Sequence, residues 1–192
     1  AQDAHPLVRA LWQPRLLEAL DWIAAETTER LAAGHRIVWM EEKGELAVQG
    51  VVLSGKPDRI DRAPDGTLTI IDYKTGKAPG PKQVAGGYAQ QLGLIGLMAE
   101  GGAFEGVEGR AACFEYWSLG CIVSPVDPSG ARGRIRTEDF VETAARNLEA
   151  ALNRWLLGSE PFTAKLYPEH APFGDYDQLM RLDEWFGRDR RA

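Results

Sequence analysis

Apolar positions recur at helical spacing over residues 5–33, at Leu7, Leu11, Leu16, Leu17, Leu20 and Ile23. Pro14 is expected to break this helix into two pieces, and Gly34 to end it. Residues 36–40 (RIVWM) read as a strand, followed by a turn at Lys43-Gly44 and the segment ELAVQGVVL. Residues 51–63 and 67–74 read as two strands around APDGT, and 75–81 as a loop. A helix over 84–100 is weakened by Gly86, Gly87, Gly93 and Gly96. Residues 110–123 form one or two strands. The clearest helix is 137–158, with Thr137 as N-cap, an acidic first turn, and an apolar stripe at Phe140, Ala144, Leu148, Ala151 and Trp155. A short helix over 175–186, capped by Asp175, closes the chain, and 187–192 is a frayed tail. The order predicts an α/β domain with a mixed β-sheet flanked by helices. Residues 1–35 are a helical segment of the same domain, and 36–186 are its core.

Composition narrows this only a little. With 192 residues, 44% of them apolar, the chain can bury a sizeable core. The run LGLIGLMA at 92–99 is far too short to span a bilayer, and no secretory pattern opens the chain. Cys113 and Cys121 match no metal spacing and read as reduced thiols, so a cytoplasmic protein is the default. A net charge of −6 argues against an autonomous nucleic-acid binder, yet allows an enzyme that is handed its nucleic acid by a partner.

The candidate chemistry lies in PDRIDRAPDGTLTIIDYKTG, residues 57–76. Pro64, Asp65 and Gly66 suit a three-residue hairpin loop with a bulge. If Ala63 pairs with Thr67, Asp58 stands opposite Asp72, and Lys74 points to the same face. Two carboxylates so close repel unless a cation lies between them. Lys74 neutralises part of that charge, and a divalent ion with oxygen ligands, most simply Mg²⁺, does so better. Such a site suits phosphodiester hydrolysis. Lys74, beside two aspartates, is a poor base and a better stabiliser of phosphate charge. The bland alternative is a salt-bridged surface hairpin. Against it, Asp72 sits beside Ile70 and Ile71 within TIIDYK.

Pro57-Asp58 and Asp72-Tyr73-Lys74 resemble the signature of the PD-(D/E)XK nuclease superfamily. The longer series KPDRIDR, IIDYKTG and Gln91-Leu92 is similar to its RecB-like branch. With FEYWSL and FGDYDQLMRLDEW, it looks most like the AddB family of nuclease domains, from helicase–nucleases of double-strand break repair. The resemblance implies a restriction-endonuclease-like core and metal-dependent cleavage of DNA. Carried over by position, Asp58 and Asp72 are metal ligands, the Tyr73 carbonyl a third, Lys74 the catalytic lysine, and Gln91 a helper that positions lysine or substrate. Mg²⁺, or Mn²⁺ in its place, is the implied cofactor. Single-stranded DNA and a helicase–nuclease subunit are the implied partners, with no membrane.

Some positions depart from the pattern. Ile95 stands where the family often has tyrosine, and Tyr88 lies about one turn before Gln91. RecB-like relatives carry a ligand histidine on an upstream helix. None of His5, His35 and His170 matches it, as expected of a fragment that begins after that helix. Two cysteines cannot hold an iron–sulfur cluster of the four-cysteine kind. Glu41 and Glu42 read as a solvated strand end, and the six tryptophans as core. Lys77, Lys82, Arg59 and Arg62 are candidate phosphate contacts, with ion pairs to Asp61 and Asp65 as the alternative for the arginines. A non-catalytic scaffold or DNA-holding module that keeps the nuclease fold is the alternative function.

Overall fold

The computed structural model describes residues 6–118 and 120–161, with side chains from Trp12 onward. Five strands form the main sheet in the order β1-β4-β5-β6-β7. They are β1 (Arg36–Met40), β4 (Arg59–Arg62), β5 (Leu68–Lys74), β6 (Ala111–Ser118) and β7 (Cys121–Val123). β5 and β6 run parallel and the other neighbours antiparallel, so the sheet is mixed, as the sequence leads one to expect. The parallel pair is joined by α2 (Pro81–Ala85) and α3 (Gln91–Glu100). A parallel pair needs such a crossover, since a tight turn cannot return the chain in the same direction.

The two sheet faces differ in chemistry. Ile60, Ile70, Phe114 and Tyr116 belong to an apolar core with Leu92, Ile95 and Met98 of α3 and Phe140 of α4 (Phe140–Ala151). Gly93 and Gly96 explain how α3 comes so close. A Cβ at Gly93 would lie 2.7 Å from Ala144 Cβ, and one at Gly96 3.0 Å from both Phe114 and Val141. These glycines lower helix propensity but permit the packing. The opposite face meets α1 (Pro6–Ala32) across a layer of polar and aromatic groups. There Arg30 contacts Glu115 at 2.9 Å, and Arg59 donates to Thr27 Oγ1 at 2.7 Å. Trp117 is buried, and the guanidinium groups of Arg30 and Arg59 lie 5.0 and 5.1 Å from its ring.

Several sequence expectations are corrected. α1 continues through Pro14, because a proline removes one i→i−4 bond and the flanking Leu, Ala, Arg and Glu favour helix. The strand expected over 51–63 is two strands in different sheets. β3 (Val51–Gly55) pairs with β2 (Gly44–Val48) as a separate hairpin, and β4 starts at Arg59. The interruption falls at Pro57, which has no N–H for a ladder. The helix expected over 84–100 is split into α2 and α3 around Gly87, whose φ is 81°. Thr137 caps nothing: it lies inside a 3-10 turn, Thr137–Asp139, that leads into α4. Trp12 is 54% exposed rather than core, whereas Trp22 and Trp39 make ring contacts with Trp117 and Phe104.

The chain divides into two compact units, Ala1–Glu149 and Ala150–Ala192. In the second, a π-helical turn spans Leu152–Leu156, and Arg154 pairs with Glu160. The helix and tail expected beyond residue 174, with His5, His170 and Trp185, lie outside the described residues.

Candidate active site

The β4–β5 hairpin closes as its turn residues dictate. Ala63 N–H donates to Thr67 O at 2.8 Å, Gly66 N–H to Ala63 O at 2.9 Å, and Gly66 takes φ 85°. Asp65 Oδ1 accepts from both Thr67 N–H and Oγ1–H, which holds its carboxyl below the usual range. The register runs from Arg62↔Leu68 to Arg59↔Ile71. One step further, Asp58 stands beyond the ladder at the level of Asp72. Its Oδ2 accepts a hydrogen bond of 2.8 Å from the Tyr73 backbone N–H.

Asp72 and Lys74 continue the face that carries Leu68 and Ile70. Asp72 is 4% exposed, where the apolar core gives way to the sheet end. Lys74 Nζ is 2.7 Å from Asp72 Oδ2, donates to Gln91 Oε1 at 3.3 Å, and lies 5.7 Å from the centroid of the Tyr116 ring. Gln91 is the first residue of α3, so the crossover delivers it to the end of β5. Burial pushes the Asp72 carboxyl above its ordinary value. Lys74 opposes that shift, while the nearby Asp58 charge adds to it. Burial, then the charge of Asp72, pushes the Tyr116 hydroxyl up to about 12.

The arrangement suits a divalent cation. Asp72 Oδ2 is buried, with the Lys74 ammonium at 2.7 Å and the Gln91 side chain close enough to favour its charged form. The Lys74 ammonium offsets one negative charge, while the Asp58 carboxylate adds a second beside Asp72, which a dication would balance. Among the described residues, no three His, Cys, Asp or Glu side chains converge on one point. The donors at hand are therefore the carboxylates of Asp58 and Asp72, with the carbonyl of Tyr73, the residue after Asp72 on β5. Mg²⁺ is compatible with so small a protein ligand set, because it keeps several waters.

The sequence pattern of the PD-(D/E)XK nuclease superfamily matches residues 1–169. The chain belongs to this superfamily. Members are generally nucleases that use divalent metals and act on DNA, and the mixed five-stranded sheet flanked by helices is their restriction-endonuclease-like fold. Curated relatives are uncharacterised proteins of Rickettsia conorii, 37% identical over 65 residues, and of Rickettsia bellii and Rickettsia typhi, each 38% identical over 65 residues. The match covers 32% of this chain and 8% of each relative, so the chain spans a small part of their length. Among the described residues, no helix is long and apolar enough to cross a membrane.

Within this PD-(D/E)XK domain, the other candidates fall in different places. Lys77 and Lys82 are exposed, on the loop after β5 and on α2. Arg59 is 2% exposed and bonded to Asp61 at 2.6 and 2.5 Å, which corrects the expectation of a phosphate contact there. Arg62 donates to the carbonyls of Glu108 and Gly106, a loop contact in place of the aspartate pairing that was the alternative for it. Ile95 is buried in the core, and Tyr88 is exposed. Glu41 pairs with Lys56 on the surface. Cys121 is exposed and Cys113 half-buried, both as free thiols.

Sequence reading missed Tyr116 beneath Lys74 and the burial of the Arg59–Asp61 pair, with Thr27, behind the sheet; the pair itself was one of its two alternatives for Arg59. Tyr116 sits beside Asp72 through parallel pairing, which no local signal announces. The Arg59–Asp61 pair did have one: in RIDR, Arg59 and Asp61 alternate with Ile60, and so share a face.

Proposed function

We propose that this domain is a metal-dependent deoxyribonuclease, with Asp58 and Asp72 as ligands of Mg²⁺ or Mn²⁺, Lys74 as catalytic residue and Gln91 as its positioning partner. The observation that carries the reading is the convergence of Lys74 on Asp72 and Gln91 at 2.7 and 3.3 Å, beside Asp58. When bound, a divalent ion supplies Lewis-acid polarisation of the scissile phosphate and a more acidic water. Asp72, fixed at the end of a buried strand, and Asp58, fixed on the Tyr73 amide, hold their carboxylates without a search through rotamers. Lys74 is oriented by Gln91 and offers its ammonium hydrogens to phosphate charge as it grows in the transition state. Its cation also lies 5.7 Å from the centroid of the Tyr116 ring, a contact that helps hold the ammonium in place. The substrate in this reading is single-stranded DNA, and the setting an AddAB- or RecBCD-like double-strand break repair complex whose helicase partner feeds the strand.

The test is release of nucleotides from labelled single-stranded DNA in Mg²⁺ or Mn²⁺. Lys74→Ala is expected to slow cleavage by about 100-fold or more, the scale of losing a principal electrostatic stabiliser. Gln91→Ala should slow it less, with stability unchanged. Equal cleavage by the parent and Lys74→Ala would end the assignment. A second reading, a DNA-holding module that keeps the fold without the chemistry, is favoured by the lack of a third side-chain ligand among the described residues. It predicts binding without cleavage in either metal.

A further inference from the structure

We propose that the loop carrying Arg132 and Arg134, together with Lys77 and Lys82, forms the track along which the phosphate backbone of single-stranded DNA reaches Lys74. This rests on the nuclease reading above and adds the surface that receives the substrate.

The charge pattern is the first argument. The chain has 28 acidic and 22 basic residues. Yet the stretch from Tyr73 to Ala99 carries Lys74, Lys77 and Lys82 with no Asp or Glu, and Pro128 to Thr137 carries three arginines with none. The fold joins these two acid-free stretches: the 3-10 turn Ala131–Gly133 packs against α2. The intervening loop after Lys74 is tied to the sheet by Ser118 Oγ–H, which donates to Gly76 O at 2.8 Å. A net acidic protein thus concentrates cations beside its candidate catalytic lysine. A polyanion is the partner such a concentration recognises.

Local geometry is the second. The arginine loop is pinned at its base, where Asp127 N–H donates to Ile135 O at 3.1 Å and Thr137 N–H to Asp127 O at 3.3 Å. Ile135 packs on the core. Arg132 is exposed, and like Lys77 and Lys82 its side chain has no hydrogen bond or ion pair among the described residues. Asp127 and Glu138 flank the loop in sequence. Asp127 accepts from Ser129 N–H and Oγ–H and feels Arg134, and Glu138 takes Arg136. Arg132 also adopts φ 57°, between Gly130 at 67° and Gly133 at 72°. A side chain in this region costs about 1–2 kcal/mol that glycine does not. Stability alone thus favours glycine at 132, and the exposed guanidinium there calls for a functional reason. Phosphate oxygens are its natural partner.

The experiment measures binding of fluorescein-labelled oligo(dT) to the 192-residue chain by anisotropy, in EDTA to prevent cleavage, across a salt series. Arg132→Gly and Arg134→Ala are each expected to weaken binding about threefold or more, and the double variant to flatten the log K–log salt slope by about 1.4, near 0.7 per lost phosphate contact. Arg132→Gly should melt no lower than the parent. Arg36→Ala, on the opposite sheet edge, should bind as the parent does. Parent-like binding by the loop variants, equal weakening by Arg36→Ala, or no binding by the parent overturns the track. Cleavage in Mn²⁺ is scored separately. A parent that cleaves, with loop variants that bind normally, refutes only the track; variants that bind poorly beside a parent that never cleaves refute only the nuclease reading.

Discussion

Asp58 and Tyr73 are joined by a hydrogen bond in which the Tyr73 backbone N–H donates to Asp58 Oδ2 at 2.8 Å. The same carboxylate thus anchors the chain just before β4 and is offered as a cation ligand. The two roles separate by substitution. Asp58→Asn keeps an acceptor, so thermal stability should stay near the parent, while Mn²⁺ affinity by calorimetry falls at least about tenfold. Asp58→Ala should lose both, with about 1.5–3 kcal/mol of stability removed along with a hydrogen bond to a charged group. Parent-like Mn²⁺ binding by Asp58→Asn would strike Asp58 from the ligand set.

Asp72 should make the metal-free protein less stable as pH rises. Its folded-state pKa is raised, chiefly by burial, above the unfolded value. The folded chain therefore binds this proton more tightly, and stability is lost as pH climbs from about 4 through the raised value. Asp72→Asn removes that loss. The difference in Tm between variant and parent should be positive at pH 7 without divalent ions and shrink toward pH 4. Mn²⁺ should raise the parent's Tm and leave the variant's unmoved. A variant that melts below the parent at pH 7 would contradict the account.

The buried pair Arg59–Asp61 predicts a large effect far from any surface. Both side chains are almost wholly buried, at 2% and 0% exposure. Removing one partner strands the other, at a cost of about 3–5 kcal/mol. For a chain of this size that lowers Tm by about 6–20 °C. Arg59→Met with Asp61→Leu together should cost less than the sum of the single changes. Additive losses in a double-mutant cycle would mean that the two do not act as a pair.

The two cysteines should differ in reactivity. Burial, then the charge of Glu115, pushes the Cys113 thiol up to about 12. The folded state holds this proton above the unfolded value of about 8.5, so its contribution to stability is complete below that pH and fades toward 12. Near pH 8 a disulfide reagent should titrate one thiol, the exposed Cys121, and release the second only in denaturant. Two fast thiols in the folded chain would refute this.

The geometry around the candidate site was legible where it is local. Ala63 pairing with Thr67 followed from Pro64-Asp65-Gly66, and period-two alternation then carried Asp72 and Lys74 to one face. What was not legible depends on partners distant in sequence. Whether Arg59 faces water or α1 turns on Thr27 and Trp117, on other elements. The division of residues 51–63 between two sheets depends on where β2 and β3 pack, against α3. The glycines of residues 84–100 all look alike as helix breakers. Gly87 does interrupt, whereas Gly93 and Gly96 serve as contact points.

That last distinction reaches the chemistry. Gly93 and Gly96 let α3 settle against Ala144, Val141 and Phe114, and Gln91 stands two residues ahead of the first of them. The helix acts as a lever whose fulcrum is a pair of missing methyl groups. A bulkier residue on its hidden side would tilt the near end and carry the amide away from the lysine, so alignment at the end of β5 is inherited from a seam the substrate never meets.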